Sequence, residues 1–354
     1  MIKQVMIDEV IAQLSNVILI DVRTPAEFAQ FHITGAINVP LFSNEERAEV
    51  GTLYKQQNPQ VAIERGLELV SPKLPDLYRQ INQLNDRKHD IIFYCWRGGM
   101  RSRSLASFMT MMGIPCYQLA GGIRSYRERI TADLNQIAEQ NKPFVVLEGL
   151  TGTRKTDILV HLQAEGYPVV DLEGLANHRG SIFGSVGKEE KSQKAFEKDL
   201  WERLKELENA PYYLIEGESK RLGRIMIPDF IMDGKEKGAR IVTQYPFGKR
   251  VEAIFEEYAP NENRQALYEA FDYLKKYLSP RTIDELETAF DQEDDRTIIS
   301  ILLDTYYDPK YTHSHSTNFG DKKTITFETL DEGILKVKHH LEHLFQSKGL
   351  TQIS

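Results

Sequence analysis

The stretch DIIFYCWRGGMRS, residues 90–102, decides the fold of the first third of the chain. Its apolar start predicts a buried strand, and its glycines predict a tight turn that leads from Cys95 into a helix. The backbone N–H groups of such a turn and the helix N-terminus favour negative charge, so we expect a reactive thiolate at Cys95. The residues expected to form the surrounding anion cradle are Arg97, Gly98, Gly99 and Arg101. A buried structural cysteine beside a surface turn is the alternative.

Strand and helix signals also alternate upstream of this stretch. Residues 17–23 (VILIDVR) predict a strand, and residues 24–31 predict the start of a short helix. The alternation predicts a parallel sheet covered by helices. For Asp21, Arg23 and His32, ion pairs and hydrogen bonds within the fold are favoured over a catalytic role.

Residues 5–130 resemble the rhodanese family. The resemblance rests on DVR at residues 21–23, on HITGA at residues 32–36 and on the cysteine loop that follows. It implies a rhodanese-like domain at residues 1–130. Phe31 departs from the family, which usually has glycine before the histidine, and we interpret the departure as a local packing change.

The composition of the whole chain limits the classes of protein. A length of 354 residues predicts two domains, and 41% hydrophobic with 27% charged residues is typical of a soluble globular protein. The net charge of −8 requires any nucleic-acid partner to meet a local basic face. Cys95 and Cys116 are too few for a disulfide scaffold. Without a signal-peptide pattern or an apolar run long enough for a membrane, we predict a cytoplasmic protein.

A second motif follows a helical linker predicted at residues 131–143. Residues 144–148 (FVVLE) predict a strand, the loop GLTGTRKT occupies residues 149–156, and residues 157–162 have helical spacing. This is the order of a P-loop, whose N–H groups hold a di- or triphosphate, with a lysine that supplies charge and a hydroxyl that could hold Mg²⁺. The residues predicted to bind phosphate are Gly149, Thr151, Gly152, Arg154, Lys155 and Thr156. A glycine-rich structural turn is the alternative.

Arg154 stands where the P-loop pattern has glycine. A side chain there costs ~1–3 kcal/mol if its φ is strained, or its guanidinium reaches the phosphates itself. The motif therefore predicts phosphate binding more firmly than nucleotide hydrolysis.

Polar segments follow the next two predicted strands. Carboxylates occur at residues 171–173 (DLE) and 216–219 (EGES), and strand-end carboxylates beside a P-loop often order Mg²⁺ or its waters. The loop at residues 175–184 mixes His, Arg, Ser and Gly, which suits an anionic substrate. The candidate substrate-binding residues are Asp171, His178, Arg179 and Ser181. A solvated strand end and a mobile loop without a ligand are the alternatives.

The predicted fold class is α/β, with an N-terminal rhodanese-like domain and a P-loop NTPase-like domain at residues 144–250. A helical C-terminal region is predicted at residues 251–354, where apolar faces have helical spacing. Tyr306 and Tyr307 are interpreted as a packed corner rather than as a platform for RNA bases. The histidines that raise the question of a metal are His313, His315, His339, His340 and His343. Since no third ligand has suitable spacing, we predict no metal site.

The order of these motifs resembles the tRNA 2-selenouridine synthase family nearly end to end. The shared motifs are CWRGGMRS at residues 95–102, the P-loop-like segment, DLE with HRGSxFG within residues 171–184, and LLxxYYDP at residues 302–309. The resemblance implies an enzyme that converts wobble 2-thiouridine of tRNA to 2-selenouridine through S-geranyl-2-thiouridine. It implies geranyl diphosphate and selenophosphate as co-substrates. Arg154 departs from this family, which has glycine there.

The resemblance also implies roles for single residues. Cys95 would be the nucleophile or would carry selenium as Cys–Se⁻, with Arg97 and Arg101 as its anion stabilisers, and the P-loop would hold the diphosphate. Transfer RNA would bridge both domains. The basic candidates for its phosphates are Arg97, Arg101, Arg103, Arg124, Arg127 and Arg129, for each of which a salt-bridged surface is the alternative.

Three other functions are compatible with the residues. The first is a sulfurtransferase fused to a nucleotide-dependent kinase. The second is a phosphatase, because Cys95 and Arg101 have the C-x₅-R spacing of such enzymes. The third is a non-catalytic RNA-binding or scaffold protein with a degenerate P-loop.

Overall fold

The computed structural model describes residues 2–181, 183–258, 260–310 and 322–348. The chain divides into two compact units, Met1–Asn135 and Gln136–Ser354. The division falls within a helix that overlaps the predicted linker. Among the described residues, no helix is both long and apolar enough to cross a membrane.

The first unit is a parallel sheet with helices. Its strands are β1 (Gln4–Val5), β2 (Val17–Asp21), β3 (Ile37–Asn38), β4 (Asp90–Tyr94) and β5 (Cys116–Leu119). Its helices are α1 (Ile7–Ala12), α2 (Pro25–Gln30), α3 (Asn44–Gln56), α4 (Pro59–Val70), α5 (Leu74–Leu84), α6 (Met100–Met111) and α7 (Ile123–Glu139), with 3₁₀ turns at Leu14–Asn16 and Ser71–Lys73. The strand order is β1-β5-β4-β2-β3 and every pairing is parallel. Strand β4 lies in the middle, so the cysteine loop leaves the centre of the sheet.

A buried ion pair fixes the chain after β2. Arg23 and Asp21 are 1% and 0% exposed, and Arg23 Nη2 lies 2.6 Å from Asp21 Oδ2. The same nitrogen donates a hydrogen bond to the carbonyl oxygen of Phe31 at 2.6 Å. Asp21 and Arg23 thus have the structural contacts that were favoured for them.

The departure at Phe31 is a matter of packing. Its φ of −172° is extended backbone, which any residue adopts, so glycine is not required. Its ring is buried and stacks on Tyr126 at a centroid distance of 6.0 Å. The next residue, His32, stacks on Phe28 at 4.0 Å, and its Nδ1 lies 2.9 Å from the Phe28 carbonyl oxygen.

The second unit is also built on a parallel sheet. Its strands are β6 (Phe144–Gly149), β7 (Val169–Val170), β8 (Tyr213–Glu216), β9 (Arg221–Leu222), β10 (Ile225–Met226), β11 (Ala239–Gln244) and β12 (Lys322–Thr326). Its helices are α8 (Lys155–Ala164), α9 (Leu172–Ala176), α10 (Gln193–Glu206), α11 (Asp229–Lys237), α12 (Phe247–Tyr258), α13 (Pro260–Leu274), α14 (Pro280–Asp291), α15 (Asp295–Leu302) and α16 (Leu330–Lys348), with a 3₁₀ turn at Lys275–Tyr277 and a π-helical segment at Leu303–Tyr307. The order is β12-β11-β6-β8-β7, while β9 and β10 form a separate antiparallel pair. The predicted α/β class is confirmed.

The C-terminal region is not helical throughout. Strand β12 pairs in parallel with β11 and extends the second sheet at its edge. Ile325 and Val337 pack in the same core as Val145 of β6. This strand has no apolar pattern in the sequence because four of its five residues are exposed, as is common for a short, lysine-bearing edge strand.

We expect Arg23→Ala to lower the free energy of unfolding of the first unit by about 3–5 kcal/mol, because removal of one partner leaves a buried charge uncompensated. Urea denaturation followed by Trp96 fluorescence measures the change. Trp201, the second tryptophan, is replaced by Phe in every protein compared.

The matched control is Arg124→Ala. Arg124 pairs with Glu128 at 2.7 Å on the surface, with both side chains more than half exposed. Exposed pairs of this kind contribute about 0–1 kcal/mol. Equal losses of unfolding free energy in Arg23→Ala and Arg124→Ala would show that the buried ion pair stabilises the fold no more than the surface pair does.

Candidate active site

Cys95 follows β4 and is 3% exposed. Its carbonyl oxygen accepts a hydrogen bond from the N–H of Ile123 at 2.9 Å, which ties the cysteine loop to the loop after β5. A Cβ at Gly122 would overlap that carbonyl oxygen, so the close approach requires glycine. Gly98 and Gly122 both have a left-handed φ, near +60°. The predicted glycine turn is present.

A chain of hydrogen bonds leads from Gln118 through Ser102 to the sulfur of Cys95. The Ser102 hydroxyl donates to Cys95 Sγ at 3.2 Å, and Gln118 Nε2 lies 2.9 Å from Ser102 Oγ. The same amide nitrogen lies 2.8 Å from the Gly98 carbonyl oxygen and 3.1 Å from that of Gly99. Sequence reasoning missed both partners. The only signal for Gln118 was an amide within an apolar strand.

The two predicted anion stabilisers have different surroundings. Arg101 Nη1 lies 2.8 Å from Glu27 Oε2, and the Arg101 side chain is only 15% exposed. Burial alone would raise the pKa of Glu27. The hydrogen bond and the positive charge of Arg101 outweigh burial, so the pKa of Glu27 lies below its usual value. Arg97 is exposed to solvent. Arg101, at the start of α6, therefore holds α2 in place, while the charge of Arg97 is open to solvent.

The cysteine loop opens on a large groove. Cys95, Arg97, Gly99 and Arg101 line a cavity of about 930 Å³, whose other walls come mainly from α3, α4 and α6. The second cysteine, Cys116, has a different environment: it is buried, and burial raises its pKa to about 12.

In the second unit, the loop between β6 and α8 has the course expected of a P-loop. Lys155 Nζ donates to the carbonyl oxygens of Gly149 and Leu150, at 3.0 and 3.2 Å. The Thr156 hydroxyl donates to Glu173 Oε2 at 3.0 Å. The lysine thus bonds the loop's own carbonyl oxygens at the start of a helix, where N–H groups can bind an anion.

Arg250 holds this loop against the helical region. Its Nε donates to the Thr151 carbonyl oxygen at 2.8 Å, and its two terminal nitrogens lie 2.9 and 2.6 Å from the carboxylate of Asp308. A Cβ at Gly152, whose φ is +80°, would lie 2.9 Å from the Arg250 carbonyl oxygen. Sequence reasoning missed Arg250, although it noted the YYDP segment that contains Asp308.

Arg154 occupies the position of the missing glycine with a φ of +60°. This left-handed conformation explains why the motif has glycine there. Its guanidinium bonds Asp157 at 3.2 Å and Glu256 at 2.7 Å. The side chain that could have reached a phosphate is therefore paired with carboxylates.

Most of the predicted phosphate and substrate residues line one cavity of about 700 Å³. They are Thr151, Gly152, Arg154, Lys155, Thr156, Arg179 and Ser181. The lining holds four basic residues, counting Lys310, and five acidic ones: Asp157, Glu173, Glu218, Glu256 and Glu257. Burial, with repulsion from Glu218, raises the pKa of Glu173 to about 8. The cavity has no net positive charge.

Asp171 and His178 are not among the described residues that line this cavity. Asp171 caps α9 by accepting a hydrogen bond from the Gly174 N–H at 2.8 Å. His178 is buried, its Nδ1 accepts from the Gly180 N–H at 3.1 Å, and burial lowers its pKa. Both have structural partners, and a contact with substrate stays a prediction for them.

Within the described residues, no group of three or more His, Cys, Asp or Glu side chains is placed to hold a metal. His339 and His343 lie with their Nε2 atoms 3.1 Å apart on an exposed helix face, whereas His313 and His315 lie outside the described residues. Tyr306 and Tyr307 pack edge to face at 5.1 Å, as expected of a corner.

Two family models match the chain. The rhodanese-like domain model covers residues 6–129, and the model of the tRNA 2-selenouridine synthase AAA domain covers residues 142–343. The chain belongs to the tRNA 2-selenouridine synthase family. The predicted rhodanese-like and P-loop-like domains are thereby confirmed as its fold.

Curated relatives named tRNA 2-selenouridine synthase agree with this assignment. The chain is 35% identical to one from Nitrosomonas europaea, over 75% of this chain and 70% of the relative. It is 33% identical to one from a Sulfurovum species, over 86% and 90%, and 31% identical to one from Pseudomonas entomophila, over 87% and 90%. The prediction of an enzyme is confirmed.

The raised pKa of Glu173 gives a pH dependence of stability. Between about pH 4.5 and 8 the folded protein binds more protons than the unfolded chain, so the free energy of unfolding should fall as pH rises through this window. Glu173→Gln should flatten that slope. Asp171, Glu216 and Glu257, whose pKa values burial also raises, contribute to the same slope.

Thermal unfolding between pH 5 and 8.5 measures this slope. Glu269→Gln, at an exposed position of α13, is the control and should keep the wild-type slope. An unchanged slope in Glu173→Gln would contradict the assigned protonation.

We also expect Arg154→Gly to be more stable than Arg154→Ala by about 1 kcal/mol, because only alanine keeps a Cβ in the left-handed conformation. Both variants lose the same ion pairs, so their difference isolates the backbone. Chemical denaturation of the two variants measures it. Equal stability would show that position 154 relaxes from a positive φ.

Proposed function

We propose that this enzyme converts 2-thiouridine at the wobble position of tRNA to 2-selenouridine through S-geranyl-2-thiouridine. Geranyl diphosphate and selenophosphate would be its co-substrates. One observation carries the proposal: a single chain combines a cysteine in a rhodanese-type loop with a P-loop that adjoins an apolar cavity. The names of the curated relatives support tRNA as the substrate.

A small, mainly apolar cavity beside the P-loop is compatible with a prenyl diphosphate. It measures about 70 Å³ and shares Thr151, Ser181, Tyr258 and Tyr307 with the P-loop cavity. Its other walls are mainly apolar and include Phe183, Leu267, Phe290, Ile298 and Leu302, while Asp295 adds a carboxylate. At about 70 Å³ the cavity is smaller than the ~150 Å³ that holds a benzene ring, so it would take only part of the hydrocarbon chain of a ligand whose diphosphate is bound at Lys155.

In the prenyl step, the base sulfur attacks the first carbon of the geranyl group. The sulfur–carbon bond forms, the carbon–oxygen bond breaks, pyrophosphate leaves with the electron pair, and the proton on the neighbouring base nitrogen passes to water. Lys155 and the N-terminus of α8 would stabilise the charge on the departing pyrophosphate. This requires Lys155 to release the carbonyl oxygens of Gly149 and Leu150.

The mixed charge of the P-loop cavity fits a cation that enters with the diphosphate. Thr156 and Glu173 supply a hydroxyl and a carboxylate oxygen 3.0 Å apart. Mg²⁺ is commonly bound by one or two carboxylates together with substrate phosphates, and it would neutralise charge on the leaving group. A diphosphate with Mg²⁺ would also favour the ionised form of Glu173.

For the selenium step, electron balance argues against the Cys–Se⁻ carrier that the sequence suggested. Selenium in selenophosphate is already at the level of selenide, so a sulfur–selenium bond would require an oxidant. We propose instead that the Cys95 thiolate attacks phosphorus. A sulfur–phosphorus bond forms, the phosphorus–selenium bond breaks, and hydrogen selenide leaves. Water then cleaves the phosphocysteine to thiol and phosphate.

Hydrogen selenide then attacks carbon 2 of the geranylated base. The carbon–sulfur bond breaks, geranyl thiolate leaves with the electron pair and takes a proton from water, and the selenium proton moves to the base nitrogen. Ser102 holds Cys95 Sγ in place. Arg97 would bind the phosphoryl group, and Arg101 would do so by exchanging Glu27 for it.

Nucleoside mass spectrometry of 2-thiouridine tRNA, incubated with protein, geranyl diphosphate and selenophosphate, tests the proposal. Wild type should yield selenouridine. Cys95→Ser should accumulate S-geranyl-2-thiouridine without selenium, and Lys155→Ala should slow the prenyl step by about 100-fold or more, because it removes a charge that stabilises the leaving group.

Matched controls are Cys116→Ser, which alters the buried second cysteine, and Lys336→Ala, which alters a lysine near β12. Both should behave as wild type. Equal product from Cys95→Ser and wild type would contradict the role of Cys95. Hydrolysis of a phosphate ester that Cys95→Ser abolishes, without modified nucleoside, would favour a phosphatase, and tRNA binding without either product would favour a scaffold.

A further inference from the structure

The groove beside Cys95 is much larger than a phosphoryl group or a selenide requires. Its apolar walls come from the chain before α3 and from α3, α4 and α6. They include Leu41, Phe42, Val50, Ile63, Leu67 and Phe108. Leu67 is 65% exposed and Trp96, next to the nucleophile, is 40% exposed. These surfaces contact water unless an apolar group covers them, and covering them is favourable.

The charged residues of the groove have one sign. Arg47, Lys55, Arg97 and Arg101 line it, and no Asp or Glu occurs among its lining residues, all of which fall within the described range 41–108. Because Arg101 is paired with Glu27, the positive charge of the rim comes from Arg47, Lys55 and Arg97. The P-loop cavity, by contrast, has five acidic lining residues. An apolar floor with a cationic rim suits a hydrocarbon chain that is attached to a polyanion.

We infer that this groove binds the geranyl chain of S-geranyl-2-thiouridine tRNA, with the RNA phosphates at the cationic rim. This inference rests on the proposed function. The bound chain would hold carbon 2 of the base near Cys95. When the carbon–sulfur bond breaks, the geranyl thiol remains in the groove until it dissociates. A second copy of the chain is a poor occupant, because a symmetric contact would bring two cationic rims together.

The test begins after prenyl transfer, so that the P-loop has no part in it. Short RNAs with S-geranyl- or S-methyl-2-thiouridine are incubated with the full chain and selenophosphate, and kcat/KM for selenouridine is measured. Wild type should prefer the geranyl RNA by about tenfold or more, because additional methylenes are buried. Leu67→Glu places a charge on the apolar wall and should reduce this ratio by about tenfold.

Met111→Glu is the matched control. Met111 is 78% exposed on α6 but does not line the groove, so the ratio should remain that of wild type. A second measurement is direct binding of geranyl thiol to Trp201→Phe protein, followed by Trp96 fluorescence. Binding should saturate, and Leu67→Glu should abolish it.

Two results would overturn the inference and leave the proposed function intact. In the first, the wild-type protein has the same kcat/KM for the geranyl and the methyl RNA. In the second, Leu67→Glu has the wild-type ratio of these two kcat/KM values. If Leu67→Glu instead changes the molecular mass in light scattering without changing the ratio, the groove is a contact between copies. Absence of Cys95-dependent selenouridine from both RNAs would refute the proposed function itself.

Discussion

The carbonyl oxygen of Cys95 lies against the backbone of Gly122, and the first unit depends on this contact. Any side chain at position 122 would overlap that oxygen, and the adjacent Ile123 N–H completes the junction with a 2.9 Å hydrogen bond. The loops after two neighbouring parallel strands are thereby joined. This junction fixes the backbone of the cysteine loop, and the Ser102 hydroxyl fixes the sulfur of Cys95. The groove beside Cys95 is left open.

In the second unit, a glycine and an arginine side chain fix the P-loop in place. Gly152 allows its loop to approach the backbone at Arg250, and the guanidinium of that residue binds both the loop and Asp308. The resulting cavity has mixed charge, with both basic and acidic residues in its lining. The groove of the first unit has apolar walls, and the charged residues among its lining are all basic. The two cavities therefore suit a prenyl diphosphate and a prenylated polyanion, respectively.

Local sequence patterns predicted the parts of this fold that local geometry determines. The glycine turn after Cys95 and the left-handed position of Arg154 follow from short motifs whose backbone demands are specific. The contacts that bring distant segments together left no such pattern: Gln118 reaches the cysteine loop from another strand, and Arg250 reaches Asp308 across 58 residues. The apolar groove was not predicted either, because its wall residues have the ordinary helical spacing of buried core residues.

The central claim is that two separable sites act in turn on one base. Cys95→Ser protein is first incubated with 2-thiouridine tRNA and geranyl diphosphate. The unreacted geranyl diphosphate is then removed, and Lys155→Ala protein is added together with selenophosphate. Nucleoside analysis should then show selenouridine that neither variant produces alone, because each supplies the step that the other lacks. A mixture that yields no selenouridine, from variants that fold and bind tRNA as wild type does, would contradict a division of labour between Cys95 and the P-loop.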